Sequence, residues 1–184
     1  MNKIIVIYES KYGSTKRYAK WIADTLSCPA IENKRFHPED FRNYDTIIYG
    51  GGLYAGGVSG IKLLTHNFQH IRSKHVILFT CGLADPTDPF NVSHIRESLA
   101  KVLSPEMLDT FHIFHLRGGM DYSRLSLIHK SMMAMLRKML SKKSPKDLRK
   151  EDLQLLETYG KTVDFTDQDT IRPLIDCALG TWQI

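Results

Sequence analysis

The residues best suited to chemistry lie in one short run near the start of the chain, Tyr8-Glu9-Ser10-Lys11-Tyr12-Gly13-Ser14-Thr15. Three aliphatic hydroxyls and a central glycine follow a β-branched apolar run and precede a segment with helical apolar spacing. A strand-to-helix turn of this kind offers an anion its backbone N–H groups, the positive end of a helix dipole and the Ser10, Ser14 and Thr15 hydroxyls. A monophosphate has the right size. The same residues also suit a simple helix cap by Ser14 or Thr15, so the turn alone leaves both readings open. The chain has no GxxxxGK(S/T) and no GxGxxG behind its first strand, which argues against a nucleoside triphosphatase and a dinucleotide site of that type.

Metal chemistry has little support in the spacing. His66 and His70 are four residues apart, but HNFQH lacks the glutamate of a metalloprotease helix and no third ligand is indicated. Cys28, Cys81 and Cys177 are odd in number, far apart and without a CxxC pair, so neither a disulfide framework nor a metal site is expected. Cys81 reads as a small apolar filler rather than a redox thiol. A reducing cytosol is the natural compartment.

The elements that must position the turn follow from periodicity. Short β-branched runs at 3–8, 30–33, 46–50, 75–80 and 111–116 read as strands. Helical spacing appears at 15–26, 61–71, 92–103 and 168–179, the last introduced by Thr166 and Asp169 as a capping box. This alternation predicts an α/β fold, a doubly wound five-stranded parallel sheet in three α/β/α layers. The segment 117–160 is extra material before the last helix, with helical candidates at 125–140 and at 145–159, the second capped by Ser144 with Pro145 at its first position and Gly160 as its stop. The 184 residues, 42% hydrophobic and 24% charged, suit a single globular domain over 1–184, and the apolar run in the first strand is too short for a signal peptide or a membrane span.

The net charge of +5 is local. Residues 130–150 hold Lys130, Arg137, Lys138, Lys142, Lys143, Lys146, Arg149 and Lys150 against Asp147 alone, leaving the rest of the chain slightly acidic. No aromatic residues interleave these cations, so nucleic acid is not the expected partner. The helix at 125–140 carries Met132, Met133, Met135 and Met139 beside the charges. Such a face can dock on the sheet, pack against a flat apolar ligand, or rest on the anionic inner face of a membrane as a peripheral contact.

The run Val6-Ile7-Tyr8-x-Ser10-x-x-Gly13-x-Thr15, with Ala19 and Ile22 on the following helix face, resembles the N-terminal signature of the flavodoxin family. The resemblance implies FMN as cofactor, with its phosphate in the loop of Ser10, Lys11, Tyr12, Gly13, Ser14 and Thr15. It further implies two loops that sandwich the flavin ring: Gly52, Leu53, Tyr54, Ala55 and Gly56 with Tyr54 as the stacking aromatic, and Thr80, Cys81, Gly82, Leu83 and Asp85 at the pyrimidine end. Flavodoxins often place a tyrosine after the second loop; this chain has none, which leaves the second ring face to Leu83, to Phe90, or open to a planar substrate.

The insertion, with Arg117-Gly118-Gly119-Met120-Asp121-Tyr122 followed by a Met-rich basic helix, is similar to the menaquinone-dependent protoporphyrinogen dehydrogenase branch of that superfamily. That likeness implies an oxidoreductase of heme biosynthesis acting on a planar substrate and a quinone, with Arg and Lys of the insertion meeting substrate carboxylates. The chemistry would be the flavin's, with no catalytic side chain required. A plain flavodoxin, carrying electrons at low potential to protein partners, is the alternative.

Overall fold

A computed structural model describes residues 2–54 and 57–181. Its first strand, β1 (Ile4–Glu9), runs through a tight turn into α1 (Ser14–Leu26), which buries Thr15, Tyr18, Ala19, Ile22 and Ala23 at helical spacing. There follow β2 (Ala30–Glu32), β3 (Thr46–Tyr54), β4 (Gly57–Val58), α2 (Lys62–His66), α3 (Phe68–Ile71) and β5 (His75–Gly82). The second half continues with α4 (Pro89–Leu99), α5 (Pro105–Thr110), β6 (His112–Arg117), β7 (Gly119–Asp121), α6 (Leu127–Leu140), α7 (Lys150–Thr158), β8 (Thr162–Asp164) and α8 (Arg172–Ala178).

Five strands pair in parallel in the order β2-β1-β3-β5-β6, the order of a flavodoxin-like sheet. Strand alternation divides the side chains between two cores. Ile5, Ile7, Ile47, Tyr49 and Leu78 pack with Phe41, Leu64, Ile71 and Leu99 on one face. Val6, Ile48, Ile77 and Phe79 pack with Tyr18, Ile22, Leu174 and Ile175 on the other. Because both faces are covered, the strands read as continuous apolar runs.

Several boundaries differ from the sequence reading, each for a local reason. Gly50, Gly51 and Gly52 lie inside β3 rather than after it, and β4 folds back on the end of β3 as an antiparallel sixth strand. A Cβ on Gly50 would stand 2.1 Å from the Phe79 ring and one on Gly51 2.3 Å from Val58, so only glycine admits these neighbours. The 61–71 helix breaks at Asn67, whose side-chain amide donates to the Leu63 carbonyl, and so His66 and His70 sit on different short helices. The 92–103 helix instead begins at Pro89 under an Asp88 cap and stops at Leu99. Asp167, not Thr166, caps the closing segment, a 3-10 turn over Gln168–Ile171 that leads into α8. Thr166 donates to the Asp164 carboxylate.

The insertion is not purely helical. β7 and β8 form an antiparallel ribbon in which Met120 pairs with Val163, and α6 and α7 are carried between its arms. Pro145–Asp147 is a separate 3-10 turn, so the expected 145–159 helix shortens to α7, whose first turn is closed by the Arg149 N–H donating to Asp152.

Candidate functional site

All the sequence-selected loops lie at the carboxyl ends of β1, β3 and β5, the edge where sheets of this kind bind ligands. In the first turn Gly13 adopts φ +104° and donates its N–H to Ser10 Oγ at 3.1 Å. No side chain caps α1, and its first turn holds no acidic residue. Ser14 and Thr15 are the first two helical residues, so the cap reading of these hydroxyls fails and the leading amides stay available to an anion. Ser14 Oγ accepts from the Gly119 N–H at 3.0 Å and keeps its own proton to donate. Thr15 is buried against Cys81.

Leu53 and Tyr54 end β3; Ala55 and Gly56 lie outside the described residues. The Tyr54 ring rests on Gly52, where a Cβ would come within 2.6 Å of it. Tyr12 meets its edge at 5.6 Å between centroids, and His129 of α6 stacks on it at 5.4 Å. Burial pushes the Tyr54 hydroxyl up to about 12, so it stays protonated. Burial also drives Cys81 up to about 12, which keeps it a thiol and supports the filler reading.

Of the second loop, Gly82 and Leu83 face the same space, whereas Thr80 turns to the other side of the sheet, 2.8 Å from His115 Nδ1. Asp85 is engaged by protein partners. Its carboxylate accepts from Thr87, an interaction that holds it below the ordinary carboxylate value, and it pairs with Arg117 at 3.4 Å. Its N–H donates to Glu151 of α7 at 3.0 Å.

A cavity of about 260 Å³ lies between these loops. Tyr12, Ser14, Leu53, Tyr54, Cys81, Gly82 and Leu83 line it from the sheet; Gly119, Met120, Leu125, His129, Met132, Met133, Leu136 and Leu155 close it from the insertion. Ser10 and Lys11 open instead on a neighbouring groove with Glu9, Glu32, Lys34 and Ser59. Gly13, Thr15, Gly52, Thr80 and Asp85 support the walls without lining the cavity. Phe90 does not cover the second ring face: half-exposed, it packs on His94 and under Arg149. α6 closes the cavity on the side away from the sheet.

His129, which the sequence did not single out, is the residue that reading missed. Its Nδ1 lies 2.6 Å from Tyr12 Oη, and the Tyr12 hydroxyl also accepts from the Ser126 N–H. The only hint was its place on the same side of the helix as Met133, Leu136 and Leu140.

The basic insertion divides in two. Arg117 donates to the Leu83 carbonyl and to Gln154, and stacks on Phe165 at 3.9 Å. Arg149 pairs with Asp88, and Arg137 covers the Tyr159 ring. Arg117 and Arg149 tie the insertion to the loop after β5, whereas Arg137 is exposed and packs within the insertion. Lys138, Lys142 and Lys146 are exposed. Docking of the broad apolar face of α6 on the sheet is likewise corrected. Only Leu140 of that helix is buried, while Leu127 is 85% and Ile128 72% exposed, with Met135 and Met139 also facing solvent.

The chain has recognisable relatives among known proteins. The flavodoxin domain family matches residues 5–147. An uncharacterized protein of Methanocaldococcus jannaschii is 26% identical over 132 residues, covering 65% of this chain and 85% of its own length. Similar solved structures include an FMN complex of a Lactobacillus acidophilus flavoprotein, 17% identical with a TM-score of 0.44 over 64% of this chain and 93% of that one. A flavodoxin from the domain Archaea is 18% identical with a TM-score of 0.41, over 61% and 84% of the two chains.

Proposed function

This chain belongs to the flavodoxin domain family, and on that premise we propose that it is an FMN-dependent oxidoreductase acting on a flat apolar substrate held beneath α6. The donor set suits FMN. The uncapped N-terminus of α1 with Ser10, Ser14 and the amides of 11–15 would hold the phosphate; Tyr54 and Leu53 on one side and Gly82 and Leu83 on the other would hold the ring. When bound, the flavin supplies the electron chemistry, and the chain supplies binding, orientation and exclusion of water.

The observation that carries the substrate reading is the roof. A carrier that meets redox proteins at an exposed flavin edge has no need of a Met, Leu and His lid, whereas a small planar substrate needs such a dry apolar wall. Tyr12 and His129, hydrogen-bonded on that wall, can hold or move a proton at Oη and Nδ1. In its finer form the proposal is a menaquinone-linked protoporphyrinogen dehydrogenase: each pair of electrons and protons leaving the porphyrinogen converts one quinone to its quinol.

The exposed stripe of α6 extends the reading to location. Leu127, Ile128, Met135 and Met139, beside Lys138, Lys142 and Lys146, suit an anionic bilayer surface, where a quinone would be at hand. No helix among the described residues is long and apolar enough to cross a membrane, so the contact would be peripheral.

Anaerobic mixing of FMN-loaded protein with protoporphyrinogen and a soluble menaquinone analogue tests the activity. Porphyrin fluorescence rising faster than in free FMN is expected. A preparation that stays colourless with added FMN would remove the cofactor reading. A yellow protein that leaves the porphyrinogen unchanged yet reduces a redox-protein acceptor would instead favour the carrier.

A further inference from the structure

At the opposite edge of the sheet, far from the flavin loops in the fold, three metal-ligating side chains converge. His75 opens β5, His112 opens β6, and Cys177 lies near the end of α8. The register of the strands explains the meeting: His75 and His112 stand on the sheet face that α8 covers, as do Ile77 and Phe114 further along the same strands. One ligand atom from each of the three residues lies within 4.8 Å of the other two. The imidazoles meet edge to face, with centroids 4.9 Å apart and planes at 86°. Cys177 Sγ lies 3.6 Å from His75 Nε2.

The Cys177 Sγ–His75 Nε2 spacing is the one a tetrahedral zinc imposes, and the other ligand pairs lie within 4.8 Å. Zinc–sulfur and zinc–nitrogen bonds of about 2.3 and 2.0 Å place adjacent S and N ligands roughly 3.6 Å apart. A purely hydrogen-bonded cluster is a weaker account. A thiol is a poor donor, and bringing a second imidazole close adds a like-charge neighbour if either ring is protonated.

We propose that His75, His112 and Cys177 form a three-ligand site for a thiophilic divalent cation, zinc being the best fit, with the fourth position open to water. Coordination forms two Zn–N bonds and one Zn–S bond and releases the thiol proton to solvent. The site ties α8 to the first residues of β5 and β6, joining parts of the chain that are distant in sequence. Spacing along the chain does not reveal it, because each ligand comes from a different element. It is separate from the flavin chemistry and needs no electron transfer.

Cobalt(II), titrated anaerobically into the reduced FMN-loaded protein, is the probe. One equivalent is expected to give tetrahedral d–d bands and a thiolate-to-cobalt charge-transfer absorption, both erased by one equivalent of zinc. Cys177→Ala and His112→Gln should each weaken binding by more than roughly 100-fold, since a lost ligand exceeds the 10–100-fold cost of a lost supporting contact. A His66→Ala, His70→Ala double variant should bind as the parent does. The FMN absorbance should be unchanged in every variant, which separates failure here from failure of the flavin reading. Absence of the thiolate band in the unaltered protein, or its persistence in Cys177→Ala, would overturn the site whether or not the variants fold well.

Discussion

His129 stacks on Tyr54 with ring planes 18° apart, while its Nδ1 is hydrogen-bonded to Tyr12 Oη. The Tyr54 ring also lies against Gly52, and the imidazole covers one of its faces, so a flavin stacking there would meet His129. Either the imidazole moves aside when the ring enters, or the ring enters elsewhere. His129→Ala removes the competitor. An aromatic contact contributes about 0.5–1.5 kcal/mol, so FMN should bind roughly two- to tenfold more tightly in that variant, measured by quenching of flavin fluorescence. Weaker binding would show that His129 is a wall of the flavin site.

The phosphate loop gives a second expectation. Ser10 and Ser14 carry the hydroxyls that remain partly exposed in the turn, whereas Thr15 is packed under Cys81. Replacing Ser10 and Ser14 together by Ala should weaken FMN binding by about 1–3 kcal/mol, the range for lost hydrogen bonds to a charged group. Riboflavin, which lacks the phosphate, should show a much smaller loss. An equal loss for both ligands would place the phosphate away from this turn. Because Ser14 also accepts from Gly119, circular dichroism of the variant is needed to show that the insertion stays seated.

How far the sequence reached depends on how local each signal was. The turn at 8–15 and the buried face of α1 were legible because strand, glycine, hydroxyls and helix period lie within a few residues of one another. β7 and β8 were not, since strands of three residues are too short to show a period. Asn67 ends a helix by a side-chain bond that spacing cannot display. Arg117 read as a free cation of the insertion, but its role came from Leu83, Gln154 and Phe165, which only the fold brings together. His129 was hidden for the same reason.

His115 sets a pH dependence. It is held to about 4, first by burial and then by the nearby Arg96 charge, and its Nε2 has no hydrogen-bond partner among the described residues. The folded pKa lies below the unfolded value of about 6.5, so between these values the unfolded chain binds more protons. Stability from this group is therefore complete above about pH 6.5 and falls as the pH drops toward 4, by up to about 3 kcal/mol. Urea unfolding at pH 5 and pH 7 checks the direction. His115→Gln, which can still bond Thr80 but does not titrate, should flatten the difference; an unchanged slope would assign it to other groups.

The membrane reading rests on how α6 divides its side chains. His129, Met133 and Leu136 face the cavity, while Ile128, Met135 and Met139 project outward beside Lys138, with Lys142 and Lys146 following. An apolar stripe left in water costs free energy that burial in an acyl boundary recovers at roughly 25 cal/mol per Å². Each lysine near an anionic surface adds about 1 kcal/mol at moderate salt. The protein should therefore sediment with vesicles containing phosphatidylglycerol and stay in solution with pure phosphatidylcholine. Lys138, Lys142 and Lys146 changed together to Gln should lower the affinity about 100-fold, as three such contributions imply. Ile128→Gln with Met135→Gln should weaken binding even at high salt, where the charges are screened. Neither set lines the cavity, so FMN affinity should be unaffected. Equal sedimentation with both lipids, or none with the anionic one at low salt, would leave the α6 stripe to a protein partner and weaken the case for a membrane quinone as acceptor.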